Sequence, residues 1–218
     1  MNLLNLLSLY RVAPERIEGG ILGSVVPALT GRVLGALRMF CSARFLTVGP
    51  GLKSGIKLRL DNPAQLGAEL LCGAVAALEE GPGPLAVISA DTAISIMAVN
   101  GKQELVGGVI LPGPQLSLSA LVQKTAQLPQ IDLSAPASSS ILGKNTSACL
   151  QNGFVLGTAG LLDGLAERFQ AELGPDIRFY ATGNLPRTIR EVCRTPIEYR
   201  EYLITDGLYR IWQKNRKG

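Results

Sequence analysis

The chain has 218 residues, 47% of them hydrophobic and only 17% charged, with a formal net charge of +4. That length buries a core of one or two domains and the composition excludes a disordered chain; no apolar run approaches the roughly 20 residues a membrane-spanning helix needs. The complete lack of histidine excludes His-based triads and most transition-metal sites, so any chemistry falls to carboxylates, hydroxyls, lysines or backbone amides.

Met1 to Tyr10 is almost wholly apolar, with Asn2, Asn5 and Ser8 on one narrow stripe, and reads as a core helix rather than a secretory leader. Gly20 to Val26 reads as a buried strand ended by Pro27, Thr30 to Ala43 as an amphipathic helix, and Arg44 to Val48 as a short strand. The loop Gly49-Pro50-Gly51-Leu52-Lys53-Ser54-Gly55 offers backbone amides and Lys53 to an anion, although most such loops are simply turns. Ile56, Leu58 and Leu60 alternate with Lys57 and Arg59 as a half-exposed strand. A helix is then predicted from Asn62 and Pro63, the cap and first position, to Leu78, ended by Gly81-Pro82-Gly83-Pro84.

Leu85 to Ala90 and Ile94 to Val99 read as strands around Asp91-Thr92, and Asn100-Gly101 is a hairpin signal before a third strand, Leu105 to Leu111. Gln115 to Ala126 reads as a helix and Ala135 to Ser140 as a flexible loop. Thr146 to Leu173 is predicted as one long helix whose several glycines permit close packing. The strand Ile177 to Thr182 leads to Gly183, and two helices finish the chain. Cys41, Cys72, Cys149 and Cys193 stand far apart with no C-x-x-C pair, which reads as buried free thiols in a reducing cytosol. The basic tail Lys214-Asn215-Arg216-Lys217 reads as a solvated helix end whose cations complement the dipole, in preference to a nucleic-acid or membrane surface.

One residue stands out on the predicted Asn62–Leu78 helix. Between Leu66 and Leu78 nearly every position is apolar or small, yet Glu69 falls in the predicted third turn, too deep for the helix dipole to account for it. Such a carboxylate is paired, shifted or facing a polar cavity. On pattern alone, a structural glutamate reaching solvent or an arginine competes with a general base in a cleft, and leads.

The order of elements, three strands from successive hairpins and then alternating helices and strands, suggests an α/β fold of the actin-like, sugar-kinase-like (ASKHA) kind, in which two domains enclose a nucleotide. Residues 1–82 read as the remnant of an N-terminal domain lacking its first strands, and residues 83–218 as the C-terminal domain. Several segments carry a family resemblance in order along nearly the whole chain. They are Ser24-Val25-Val26-Pro27, the loop Val48 to Gly55, Asp61-Asn62-Pro63 with Gly67-Ala68-Glu69, and Gly107-Gly108 with Pro112-Gly113. Leu116-Ser117-Leu118, Leu128-Pro129, Gly143-Lys144-Asn145-Thr146 with Gln151-Asn152-Gly153, and Ala181-Thr182-Gly183 complete the set. Each motif alone is weak. The ordered set resembles the type III pantothenate kinases.

The resemblance implies a cytoplasmic enzyme, commonly a dimer, that transfers the γ-phosphate of ATP, with Mg2+, to pantothenate held near the subunit interface, opening coenzyme A synthesis. Gly67-Ala68-Glu69-Leu70 matches the family's G-A-D-R, which makes Glu69 the proton acceptor for the pantothenate hydroxyl and sets Gly67 and Ala68 against the substrate. By the same match, Thr146 contacts pantothenate, while Thr92 and Gly183 contact ATP. Neither nucleic acid nor a membrane is implied as a partner.

The departures are as informative. The family's opening D-x-G-N-T phosphate hairpin is not found, which removes much of the machinery that positions and neutralises the triphosphate. Glu69 stands for Asp, moving the carboxylate by about 1 Å, a displacement that costs about 10²-fold if uncorrected. Leu70 stands for an arginine that would clamp an anion. The family's D-F-G-T appears as Ser89-Ala90-Asp91-Thr92, so the aspartate that helps hold a monovalent cation (K+ or NH4+) is Ser89, with Asp91 as a substitute carboxylate or as a charge that repels phosphate. Asn184 follows Thr182-Gly183 where the family has a second glycine.

Three cases follow from these departures. The gene start could be set too late; the chain could work as a homodimer or as a heterodimer with an intact paralogue; or it could be a catalytically silent regulatory relative that binds ligand without turnover.

Overall fold

The computed structural model describes residues 3–135 and 140–216. Met1 and Asn2 of the predicted first helix, residues 136–139 of the predicted loop, and Lys217 of the basic tail lie outside them.

The chain opens with α1 (Leu3–Leu9), none of whose residues is buried, although its sequence reads as a core helix. β1 (Gly19–Leu22) and β2 (Arg44–Thr47) form a parallel two-stranded sheet connected through α2 (Pro27–Phe40). β1 stops at Leu22, short of the predicted Val26, because β2 supplies only four residue pairs.

Six further strands make a mixed sheet. They are β3 (Lys57–Leu58), β4 (Leu85–Ala90), β5 (Ala93–Val99), β6 (Glu104–Pro112), β7 (Arg178–Gly183) and β8 (Ile197–Tyr199), in the spatial order β3-β6-β5-β4-β7-β8. β4, β5 and β6 pair antiparallel in succession, whereas β4–β7, β7–β8 and β3–β6 are parallel. The turn after β5 is wider than the two-residue hairpin that Asn100-Gly101 predicts. It closes at Gln103, whose φ of 59° is left-handed, and the Asn100 side chain accepts from the amides of Lys102 and Glu104. β8 has no counterpart among the predicted elements, being three residues long and carrying too little pattern to register.

Every residue of β4 is buried, so the strand is apolar on both faces rather than alternating, Ser89 excepted. Its alternate side chains feed two cores. Leu85 and Val87 join Met97, Val99, Leu105 and Tyr180 beneath α3 (Ala68–Glu79) and α7 (Leu203–Asn215). Ala86, Ile88 and Ala90 join Ile94, Ile96 and Phe179 beneath α5 (Thr146–Leu173). Short helices α4 (Pro114–Gln123) and α6 (Arg187–Arg190) complete the chain.

Within α5, the buried positions Val155, Ala159, Leu162 and Ala166 follow helical spacing. Gly153, Gly157, Gly160 and Gly164 fall on another face, where an added Cβ would meet nothing within 4 Å. Among the described residues, the close packing expected of these glycines therefore does not occur.

Two polar devices hold the periphery. Asn215 near the end of α7 accepts from the Lys53 amide at 3.0 Å and donates to the Lys53 carbonyl at 3.0 Å, pinning the Gly49–Gly55 loop. Asp163, 4% exposed, accepts from the backbone amides of Arg194 and Thr195, fixing the approach to β8. Burial pushes the Asp163 carboxyl up, but the amide bonds from Thr195 and Arg194 outweigh it and leave it below its ordinary 3.8. A depressed folded-state value means this stabilisation is present above the unfolded value and is lost as pH falls through the folded one. Urea titrations should therefore show wild type losing stability below pH 3.8 more steeply than Asp163→Asn; parallel curves would refute the assignment.

All four cysteines are free. Cys41 and Cys72 are buried as expected; Cys149 is exposed and Cys193 half-buried, a correction to the reading of four buried thiols.

Candidate functional site

The start of α3 decides where the carboxylate lies. Asn62 does cap, accepting from the Ala64 amide at 3.2 Å, but the turn it starts is a 3-10 turn over Pro63–Gln65. Leu66 and Gly67 then return to extended backbone, and α3 begins only at Ala68. Glu69 consequently sits in the first turn rather than the third. An acidic side chain there interacts favourably with the helix N-terminus, so the dipole argument that the sequence ruled out applies after all. Glu69 is exposed, unlike the run Cys72 to Ala77 behind it.

The Glu69 carboxylate meets Ser89 of β4, whose hydroxyl donates a hydrogen bond to Oε1. Glu69 also edges a cavity of about 190 Å³ shared with Gly23, Ser24, Val25 and Cys72. Burial pushes the Cys72 thiol up to about 12, with the Glu69 charge adding to the effect, so this cysteine is no nucleophile. On the other side of Ala68 lies a cavity of about 730 Å³, walled by the Gly49–Leu52 loop, Ser54, the Pro63–Gln65 turn and Gly67. Ser24, Val25 and Ala68 line both spaces. Of the loop's proposed anion-holding groups, the Lys53 amide already donates to Asn215. Leu70, where the resemblance expects arginine, is partly buried and packs against the α3 core.

Asp91 and Thr92 form the exposed turn between β4 and β5, two and three residues beyond Ser89. β7 ends beside them, with Gly183 opposite Ala90 in register. Gly183 has φ +83°, and a Cβ there would lie 2.3 Å from the Ala90 carbonyl oxygen, so only glycine fits. Asn184 next to it donates to Asp91 Oδ1 at 2.9 Å. Asp91, Thr92, Gln115, Asn184 and Pro186 line a cavity of about 450 Å³. Asp91 lies just past the end of β4, and its partner differs from that of Ser89: Ser89 serves Glu69, Asp91 serves Asn184.

Glu69, Ser89, Asp91, Thr92 and Gly183 thus gather at one end of the sheet, where β4 and β7 terminate, the usual place for a ligand in an α/β sheet. Thr146 does not join them. It is exposed at the start of α5, capped by Asn145, and α5 covers the opposite face of the sheet from α3. The pairings Glu69–Ser89 and Asp91–Asn184 carry no signal in the sequence, because each joins residues brought together only by strand order.

Among the described residues, no group of three or more His, Cys, Asp or Glu side chains could hold a metal ion, and no helix is long and apolar enough to cross a membrane.

Comparison with known proteins identifies the family. The family model for type III pantothenate kinase matches residues 1–168. Among curated relatives, the type III pantothenate kinase of Koribacter versatilis (strain Ellin345) is 35% identical over 212 residues, 97% of this chain and 77% of its own. That of Pelobacter propionicus (strain DSM 2379 / NBRC 103807 / OttBd1) is 36% identical over 202 residues, 93% of this chain and 79% of its own. Among solved structures, a Campylobacter jejuni protein titled a Baf family transcriptional activator superposes with a TM-score of 0.48 at 20% identity, over 86% of this chain and 81% of its own. With its family model matched over 168 residues and relatives matched over nearly its whole length, the chain belongs to the type III pantothenate kinase family.

Proposed function

We propose that the chain is a cytoplasmic pantothenate kinase of the ASKHA fold, phosphorylating pantothenate from ATP in the first step of coenzyme A synthesis. The observation that carries this reading is the convergence of Glu69, Thr92 and Gly183 on one end of the sheet, with large cavities on both sides. In this reading residues 1–82 contribute the acceptor side, with Gly67 and Ala68 against pantothenate in the 730 Å³ cavity. Residues 83–218 contribute the nucleotide side, with Thr92 and Gly183 near ATP.

Glu69 takes the proton of the pantothenate hydroxyl as that oxygen bonds to the γ-phosphorus. The bond from phosphorus to the β–γ bridging oxygen breaks, and ADP leaves with the electron pair. Mg2+ enters as part of the nucleotide substrate. No step runs through a monovalent cation: the Ser89 hydroxyl is neutral and already donates to Glu69, and Asp91 is engaged by Asn184, so neither fits that ion as a free carboxylate would.

The separation of Thr146 from Glu69 by the sheet supports a homodimer in which the partner subunit's Thr146 reaches the acceptor site. The open glycine face of α5 supports the same reading, since bare backbone admits a close neighbour. The test is pantothenate-dependent ADP release by purified chain. Turnover is expected, and mixing Glu69→Gln with Thr146→Ala should recover part of it, because one mixed site then holds both wild-type groups. No turnover at any substrate concentration overturns the kinase reading; turnover without recovery on mixing overturns only the shared site.

A second reading, ligand binding without turnover, is favoured by one observation. Asp91 puts a carboxylate on the wall of the 450 Å³ cavity, where a triphosphate would be repelled. Calorimetric binding of pantothenate by a chain that releases no ADP would support this silent-relative reading.

A further inference from the structure

We propose that Ser89 is the positioning residue for Glu69, an inference that rests on the reading of Glu69 as the base. Ser89 is 5% exposed and stands on β4, a strand hydrogen-bonded on both sides by β5 and β7. Its side chain shares the α3-facing parity of Leu85 and Val87. A hydroxyl buried there needs a partner, and it has Glu69 Oε1.

The two residues differ in mobility. Glu69 reaches from the first turn of its helix on a three-torsion side chain at an exposed mouth, and unanchored it would spread over several rotamers. Ser89 has one torsion and a backbone locked in the centre of a sheet. The hydrogen bond transfers that rigidity to the carboxylate, as a supporting residue must if a reacting group is to be held within a fraction of an ångström. It ties Oε1 and leaves Oε2, which has no hydrogen bond among the described residues, to receive the substrate proton.

Strand order extends the support. Ser95 of β5 and Thr182 of β7 flank Ser89 in register, so three hydroxyl residues cross the sheet in one row below Glu69. Thr182, 1% exposed, donates to the Glu201 carbonyl at 3.4 Å, which leaves the Ser89 proton for Glu69 alone. A hydroxyl in this place also supplies the donor without a second negative charge, which an acidic residue at 89 would set against the base.

The experiment measures ADP release with pantothenate and ATP for wild type, Ser89→Ala, Ser89→Thr, Glu69→Gln and the double variant Ser89→Ala/Glu69→Gln. Loss of the anchor should lower kcat on the order of tenfold with both KM values within about twofold, because binding groups are untouched and only the base is misplaced. Ser89→Thr, which keeps the hydroxyl, should recover most of kcat, and Ser89→Ala should add nothing in the Glu69→Gln background. A KM rise with kcat unchanged, or a threonine variant as slow as alanine, overturns the proposal. If Ser89→Ala does not fold, Ser89→Cys, nearly isosteric and a weak donor, replaces it. A second readout needs no activity: urea midpoints of wild type, Ser89→Ala, Glu69→Ala and their double variant should be non-additive, because alanine at 69, unlike glutamine, removes the acceptor of the Ser89 hydroxyl. Wild type without turnover removes the kinase reading, and the cycle then decides the Ser89–Glu69 coupling by itself, additive midpoints overturning it.

Discussion

Glu69→Gln is expected to lower kcat for pantothenate phosphorylation by about 10²- to 10⁴-fold, the range for a positioned general base, with KM nearly unchanged. Glutamine keeps the volume of glutamate and can still accept from Ser89 through its amide oxygen, so the site remains built while the proposed proton acceptor is lost. Neither neighbour can replace it. The Cys72 thiol, pushed up to about 12, carries no useful thiolate near neutrality, and Asp91 is turned to Asn184. Because Glu69 is exposed in the first turn of α3, its replacement should leave the unfolding midpoint within about 0.5 kcal/mol of wild type. A Glu69→Gln enzyme within threefold of wild type would show that the carboxylate does not take the proton.

Gly207→Ala is expected to destabilise the fold by about 1–3 kcal/mol, the scale of overpacking. Gly207 sits at the centre of the buried Leu203–Gly207–Ile211 stripe by which α7 packs on α3. A Cβ there would stand 1.9 Å from the Cys72 carbonyl oxygen and 2.8 Å from its Cα, both backbone atoms of a helix interior. No side-chain rotation relieves that contact, so the helices must separate. The midpoint should fall by roughly 2–4 °C per kcal/mol for a chain of this size. Cys72 lies one turn from Glu69, so the same variant should also reduce kcat more than KM. Thermal unfolding within 1 °C of wild type would mean that α7 does not approach α3 this closely.

Much of the architecture was legible without coordinates. The mostly apolar Leu85–Ala90, the two strands flanking Asp91-Thr92, and the long Thr146–Leu173 pattern each match the element predicted, because burial on both faces or on one helical stripe leaves a direct mark in residue order. The start of α3 differs from the sequence expectation for a definable reason. Asn62 and Pro63 are genuine start signals, but a 3-10 turn uses the same signals, and only the extended Leu66-Gly67 pair separates the two. The glycines of α5 were read as packing sites because residue type reports that close approach is allowed, not which neighbour uses it.

Ordered short motifs mark the family in residue order alone, and the absence of histidine excludes its chemistry. The sequence also singled out Glu69 as the carboxylate to explain. Tertiary structure alone decided what that carboxylate touches. Helix start and strand register bring residues 69 and 89 together, and likewise 91 and 184, across separations that no local pattern encodes. It also set Thr146 on the far face of the sheet, since which core a helix covers depends on the parity of side chains along β4 rather than on the helix's own sequence. Glu69 is therefore a first-turn carboxylate held by a buried serine, a description that needs both the motif and the fold.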